Sequence, residues 1–248
     1  MAEPSAELVR LAHGDAWQAM GRLRAAVGGE VAERPGIRLM ASGLPHPQWN
    51  NGDVDDPGAV EIAAVAAWYA DRGVPWGVRV PAGATWPHGR LLFRKRLMAV
   101  PAADLIAAAP PDGVRMRTAR PADLEDVLAV DLAAFGGAAD LERRWLEPLL
   151  SAGLVALAEA DGEVVATGYG VPCEGRAGST VFLGGVAVRP DVRRRGIGAA
   201  VSSRLAERGF AAGGQIAHLH PDTDEAASIY RRLGFVEVDG LDIYVDNV

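Results

Sequence analysis

An apolar run, Val181 to Val188, leads within a few residues to Arg193-Arg194-Arg195-Gly196-Ile197-Gly198 and then to an amphipathic stretch, a succession that leaves the chain few folds to choose from. A strand that ends in a glycine turn and restarts as a helix aims the free N–H groups of the first helical turn at one point. The positive end of the helix dipole stands behind them. Phosphate is the natural occupant of such a point. Glycine lacks a Cβ, so a phosphate oxygen reaches the backbone without steric conflict. Ile197, Val201 and Leu205 recur at a spacing of four, which predicts the helix, and Gly213-Gly214 ends it.

The glycines are followed by no Lys-Ser or Lys-Thr pair and by no third glycine at the dinucleotide spacing, which argues against a nucleotide triphosphatase or a dinucleotide enzyme. Arg193, Gly196 and Gly198 resemble instead the acyl-CoA signature R-x-x-G-x-G of the GNAT superfamily of N-acyltransferases. A second element supports the resemblance. Residues 224 to 235 read as a short helix that ends at Gly234 and passes into a strand, with Asp222 as the expected N-cap and Glu225 three residues on. Ala226, Tyr230, Gly234 and Phe235 are similar to the A-x-x-x-Y-x-x-x-G-F element of the same family. Thr223 stands where many relatives carry asparagine, so a cofactor contact from that position is not carried over.

The resemblance covers about residues 113 to 247 and implies a GNAT-like acyltransferase fold. Read from the residues, that span predicts strands at 113–118, 154–160, 163–172, 179–188 and 215–220. It predicts helices opening at Pro121 and spanning 138–151, besides the two above. Asp161-Gly162 is a hairpin signal, and Asp239-Gly240 predicts a second turn between a terminal pair of strands. The order is mixed α/β.

Gly184-Gly185 inside the apolar strand predicts a bulge or a close backbone approach, or a kink that packs a large neighbour. In the resembling family this strand splays from its neighbour and holds the pantetheine arm and the thioester oxygen. The resemblance therefore implies that Val186, Ala187 and Val188 line the arm. It likewise implies that Arg193, Arg194, Arg195, Gly196, Ile197, Gly198 and Ala199 hold the diphosphate of acetyl-CoA or a related short acyl-CoA. A thioester attacked by an amine needs a base, an oxyanion site and an acid for the thiolate. An amine with pKa of about 10 is the harder proton transfer, whereas a thiolate with pKa of about 8.5 departs largely unaided. Tyr230 matches the family's acid. For the base, His218, His220, Glu174, Asp222 and a relay through water all stay open.

Cys173 is the lone cysteine, so neither an internal disulfide nor a structural zinc set is expected, and the five histidines form no metal-binding pattern. No run approaches a bilayer span and the start lacks a leader pattern, which makes the cytoplasm the expected compartment. All basic residues but Lys95 are arginine, the coding bias of a GC-rich bacterial genome. A net charge of −7 argues against nucleic acid and favours a cationic amine, on a small molecule or a peptide. A homodimer is compatible with these features.

The alanine and proline stretch 107–113 suggests two domains, 1–110 and 111–248. The first predicts helices at 5–27 and 60–71 and strands at 36–42 and 74–80. It has no R-x-x-G-x-G and resembles the degenerate N-terminal unit of two-part GNAT proteins. Within it, His46, Trp49 and Asn50 lie in a turn-rich loop, an acceptor contact, a structural turn or a subunit contact. Trp76 and Trp86 read as packing residues. The expected activity is direct transfer of an acyl group to a primary amine in a ternary complex. The competing reading is a silent acyl-CoA sensor or assembly protein, and a nucleotide-binding loop is the third.

Overall fold

Residues 4–245 are described by a computed structural model, so the outermost ends of the two expected domains, 1–3 and 246–248, lie outside the described residues. In chain order the elements are α1 (Ala6–Leu23), β1 (Glu30–Arg34), β2 (Ile37–Ala41), β3 (Asn51–Val54), α2 (Ile62–Ala70), β4 (Gly77–Pro81) and β5 (Arg90–Pro101). There follow β6 (Val114–Thr118), α3 (Leu124–Phe135), α4 (Ala139–Ser151), β7 (Val155–Ala160), β8 (Glu163–Gly175) and β9 (Gly178–Val188). The last are α5 (Ile197–Ala211), β10 (Ile216–Leu219), α6 (Asp224–Arg232) and β11 (Val236–Val245). The fold is mixed α/β, as expected.

Two units emerge. One comprises Met98–Cys173 with Gly178–Val236; the other comprises Pro4–Leu97, Glu174–Ala177 and the residues from Glu237 on. This division differs from the expected one at 110/111, because β5 gives Met98–Pro101 to the second unit and β11 pairs with β4 of the first.

In the second unit the strand order is β5, β10, β9, β8, β7, β6. β10 runs antiparallel to the end of β5 and parallel to β9, and β8, β7 and β6 follow antiparallel. Asp161 and Gly162 both take positive φ, 52° and 83°, and join β7 to β8 in the two-residue turn their sequence predicts. Helix α5 packs on β9 and β7 through Ile197, Val201 and Leu205, all buried with Leu183, Leu219 and Phe235. Each such side chain contributes about 1.5–3 kcal/mol of burial. Helix α3 packs against β9 and α4.

The first unit orders its strands β1, β2, β3, β4, β11, β5, with β3 and β4 parallel. Leu39, Val65, Tyr69, Val78 and Val80 form an apolar core. The buried side of α1 mixes apolar residues with polar ones. Asp15 binds Arg38 at 2.5 Å, Gln18 donates to the Leu39 carbonyl at 2.9 Å, and Arg79 binds Asp53 at 3.0 Å and stacks over Trp17. Burial pushes the Asp53 carboxyl up, and the Arg79 and Arg38 charges oppose that rise. Asp15 also accepts from the Ala177 N–H at 2.8 Å, and Arg176 binds Asp55 and Glu33, so the 174–177 segment is held by charge.

The expected turn at Asp239-Gly240 is corrected: β11 runs through it unbroken. A Cβ at Gly240 would stand 1.8 Å from the Lys95 carbonyl oxygen, so this glycine serves close backbone approach rather than reversal. Strands β1, β3 and β5 were not expected. The first seven residues of β5, 90–96, are charged or exposed apolar and lack the alternation that marks a half-buried strand.

Candidate active site

The parallel ladder between β10 and β9 registers only Ile216 to His218 against Thr180 to Phe182. Strand β9 continues to Val188 beyond the end of this ladder. Gly185 adopts φ 57°, and a Cβ on Gly184 or Gly185 would meet the Tyr169 ring at 2.5 and 2.6 Å. The paired glycines therefore make room for a large neighbour, and Tyr169, which sequence reasoning missed, is that neighbour. Past this point Val186 and Val188 are half-buried and Ala187 is buried.

The chain then makes a short 3-10 turn, Pro190–Val192, and two left-handed residues follow in close succession, Arg194 at φ 64° and Gly196 at φ 84°. A non-glycine residue in this region is uncommon, and left-handed residues among right-handed ones turn successive N–H groups inward as an anion-binding nest. Gly196 is the N-cap of α5 and supplies no side-chain cap. The first-turn N–H groups of Ile197, Gly198 and Ala199 have no intrahelical acceptor. A Cβ on Gly198 would lie 3.4 Å from Val188 Cγ2, so the protein itself leaves room for one. Arg193, Arg194 and Arg195 are exposed, and Arg193 Nε donates to the Val188 carbonyl at 3.1 Å, tying the loop to the strand end.

On α6 the N-cap is Thr223, whose hydroxyl accepts from the Ala226 N–H at 3.1 Å; this corrects the expectation of Asp222, which is exposed. Gly234 ends the helix at φ 90°. Tyr230 is half-buried with its phenol hydrogen-bonded to Ser202. Ser202 Oγ also donates to the Gly198 carbonyl at 2.9 Å. Burial pushes the phenol up to about 12, with Asp222 adding to the rise and the Ser202 bond opposing it. Ser202 was not singled out from sequence, although it stands four residues after Gly198 on the same helix face.

The base candidates are spread. His218 is wholly buried, its ring 5.5 Å from Phe182, and burial lowers it to about 3, so the imidazole is neutral. His220 stacks on the same ring at 5.6 Å and is half-buried, so both histidines pack against Phe182. Glu174 belongs to the first unit. Cys173 is buried, with its thiol donating to the Val171 carbonyl at 3.1 Å, a packing role. In the first unit the Asn50 amide accepts from Ser42 N–H and donates to the Leu44, His46 and Pro75 carbonyls, which makes its loop a structural turn. Trp76 stacks on Tyr69 and Trp86 is buried. Among the described residues no helix is long and apolar enough to cross a membrane.

Comparison with known proteins gives a consistent result. Residues 124–235 match the Acetyltransferase (GNAT) family. The mycothiol acetyltransferase of Streptomyces coelicolor is 34% identical over 138 residues, covering 51% of this chain and 44% of that protein. The match thus spans less than half the length of that curated relative. A GCN5-related N-acetyltransferase from Kribbella flavida shares the fold at a TM-score of 0.72, with 20% identity over 96% of both chains. One from Sphaerobacter thermophilus does so at 0.59, with 18% identity over 96% of this chain and 90% of that one.

Proposed function

We propose, from the match of residues 124–235 to the Acetyltransferase (GNAT) family, that the chain moves an acetyl or short acyl group from acyl-CoA to a primary amine by direct transfer. The observation that carries the reading is the α5 entrance, where an uncapped first turn follows two left-handed residues and three exposed arginines. These groups fit a diphosphate. The N–H groups of Ile197, Gly198 and Ala199 donate to its oxygens, and Arg193, Arg194 and Arg195 supply charge. Val186, Ala187 and Val188 line the pantetheine arm along the strand segment that runs past the β10 ladder, with a backbone N–H near Val186 facing the thioester oxygen. Bound acyl-CoA supplies an activated carbonyl and a good leaving group.

Tyr230 supports departure of the thiolate. A phenol near 12 keeps its proton against a thiol of about 8.5, so Tyr230 acts by donating a hydrogen bond rather than by full proton transfer. Tyr230→Phe is accordingly expected to lower kcat roughly tenfold to a hundredfold without abolishing turnover, and an unchanged kcat across pH refutes the role. Holding amine and thioester together supplies much of the remaining acceleration. We assign the first unit as a degenerate copy, which its lack of an R-x-x-G-x-G supports.

The deciding experiment follows free thiol while acetyl-CoA and a panel of primary amines are mixed with the protein, with cofactor binding measured separately by calorimetry. Amine-dependent thiol release establishes the transferase. Binding without release assigns a silent acyl-CoA-binding protein instead, and absence of binding removes both.

A further inference from the structure

Strand β9 changes face partway along. Up to the paired glycines its odd-numbered residues meet α5: Val181 lies 2.6 Å from the place a Cβ on Gly209 of α5 would take, and Leu183 is buried with Leu205. Beyond the glycines the even-numbered residues do so. Val186 Cγ2 lies 3.2 Å from the place of a Cβ on Gly168, beside Val201 and Leu205, and Val188 Cγ2 lies 3.4 Å from that of a Cβ on Gly198. Side chains alternate along a regular strand, so the two halves of β9 are out of step by one residue.

The backbone carries the same slip. Ser179 turns its carbonyl to the β10 side, where it accepts from the Gln215 N–H at 2.8 Å. Arg189, directly after β9, turns its N–H the other way and donates to the Val165 carbonyl of β8 at 2.9 Å. In a regular strand the N–H and C=O of one residue share an edge and successive residues alternate edges, so Ser179 and Arg189, an even number of residues apart, would face the same side. The slip between them therefore turns the N–H groups of Val186 and Val188 away from β8, toward the edge where the β10 ladder has already ended at Phe182. The Val188 carbonyl, on that same edge, accepts from Arg193 Nε at 3.1 Å.

Tyr169 sits at the break. Strand β8, which lies beside β9, carries it opposite Val155 of β7. Neighbours on a regular strand point to opposite faces, yet a Cβ on Gly184 and a Cβ on Gly185 would both strike this one ring, at 2.5 and 2.6 Å. Gly185 reaches the face of its neighbour through its φ of 57°, the conformation of a glycine bulge. Gly184 has no positive φ, so the ring alone excludes a side chain from it. The ring is 8% exposed and is braced by Phe182, with centroids 6.3 Å apart.

We propose that Tyr169 is a positioning residue for acyl transfer: seated on Gly184 and Gly185, its ring holds the one-residue slip that aims the Val186 and Val188 N–H groups at the acyl-CoA arm. This assignment deepens the transferase reading and rests on it. Tyr169 acts through the backbone of β9. Loss of the ring lets the strand return to regular alternation, which turns the Val186 N–H toward β8 and removes a donor from the thioester oxygen. The left-handed turn and the first turn of α5 are untouched by that change, so the diphosphate stays bound.

The test titrates acetyl-CoA, isotopically labelled at the thioester carbonyl, into the whole protein and follows that carbonyl and the Val186 and Gly198 amides by NMR. In the wild type and in Tyr169→Phe, which keeps the ring, the bound carbonyl is expected to move downfield as it accepts a hydrogen bond, and both amides respond. Tyr169→Leu is expected to lose the carbonyl shift and the Val186 response while keeping the Gly198 response. A Tyr169→Leu protein that retains the carbonyl shift overturns the proposal. Should that variant not fold, Gly184→Ala, which keeps the ring and presses a methyl against it, is expected to lose the same two signals, and their persistence overturns the proposal equally. In the wild type, a Gly198 response without a carbonyl shift sinks the positioning role alone. Absence of the Gly198 response sinks the transferase reading.

Discussion

Replacing Asp131 by asparagine is expected to stabilise the protein in a manner that depends on pH. In the unfolded chain the carboxyl ionises near 3.8; in the folded chain burial and the Glu142 charge raise it to about 7. A carboxyl whose folded pKa is raised stabilises the fold fully below the unfolded value, and that stability is lost as pH climbs through the folded value. At about 1.4 kcal/mol for each tenfold change in protonation, the ionised form costs about 4 kcal/mol once pH exceeds 7. Between about pH 5 and pH 8 the wild-type chain loses about 3 kcal/mol through this group, and the asparagine variant loses none of it. For a chain of this size 1 kcal/mol corresponds to about 2–4 °C. The variant should therefore gain about 6–12 °C on the wild type when the two pH values are compared, a difference that cancels any constant cost of burying an amide. Thermal or urea unfolding of both proteins at the two pH values measures it. An equal gap at both pH values refutes the claim that Asp131 is buried without a compensating charge.

Other substitutions separate conformation from ligand contact. Gly198→Ala should leave the melting temperature within about a degree, since a Cβ there has room, yet weaken acetyl-CoA by tenfold or more in calorimetry. Gly196→Ala should lose about 1–2 kcal/mol of fold stability, because its φ of 84° strains any side chain. Asp53→Asn strands the buried Arg79 guanidinium and should cost about 3–5 kcal/mol in urea unfolding. Gly240→Ala places a methyl against the Lys95 carbonyl and should destabilise the first unit by more than about 2 kcal/mol, visible as faster amide exchange in β11 and β4.

Local rules were enough wherever an element is specified by its own residues. The strand, glycine turn and helix around Gly196, the hairpin at Asp161-Gly162 and the helix ending at Gly234 each carry their signal within a few positions, because capping, left-handed φ and the 3.6-residue period are short-range physics. The placement of Tyr230 on that helix was legible for the same reason. The signals that failed are those whose meaning depends on a distant partner. Asp239-Gly240 has the composition of a turn, but its glycine answers the Lys95 carbonyl more than a hundred residues away. Gly184-Gly185 announced an irregularity without revealing that Tyr169 occupies it. Nothing local distinguishes His218, held neutral inside the sheet, from a histidine free to titrate.

The amino-acid order by itself determined the class of fold and the glycine turn that opens α5, since backbone conformation there follows from Cβ-free glycines and helix periodicity alone. Tertiary structure decided which charges are compensated. Asp15, Asp53 and Asp242 each found an arginine and Asp131 did not, and no spacing in the chain records that difference. The reason is physical: a carboxylate's energy depends on the solvent it loses and the charges it meets, and both are set by packing between segments far apart in sequence.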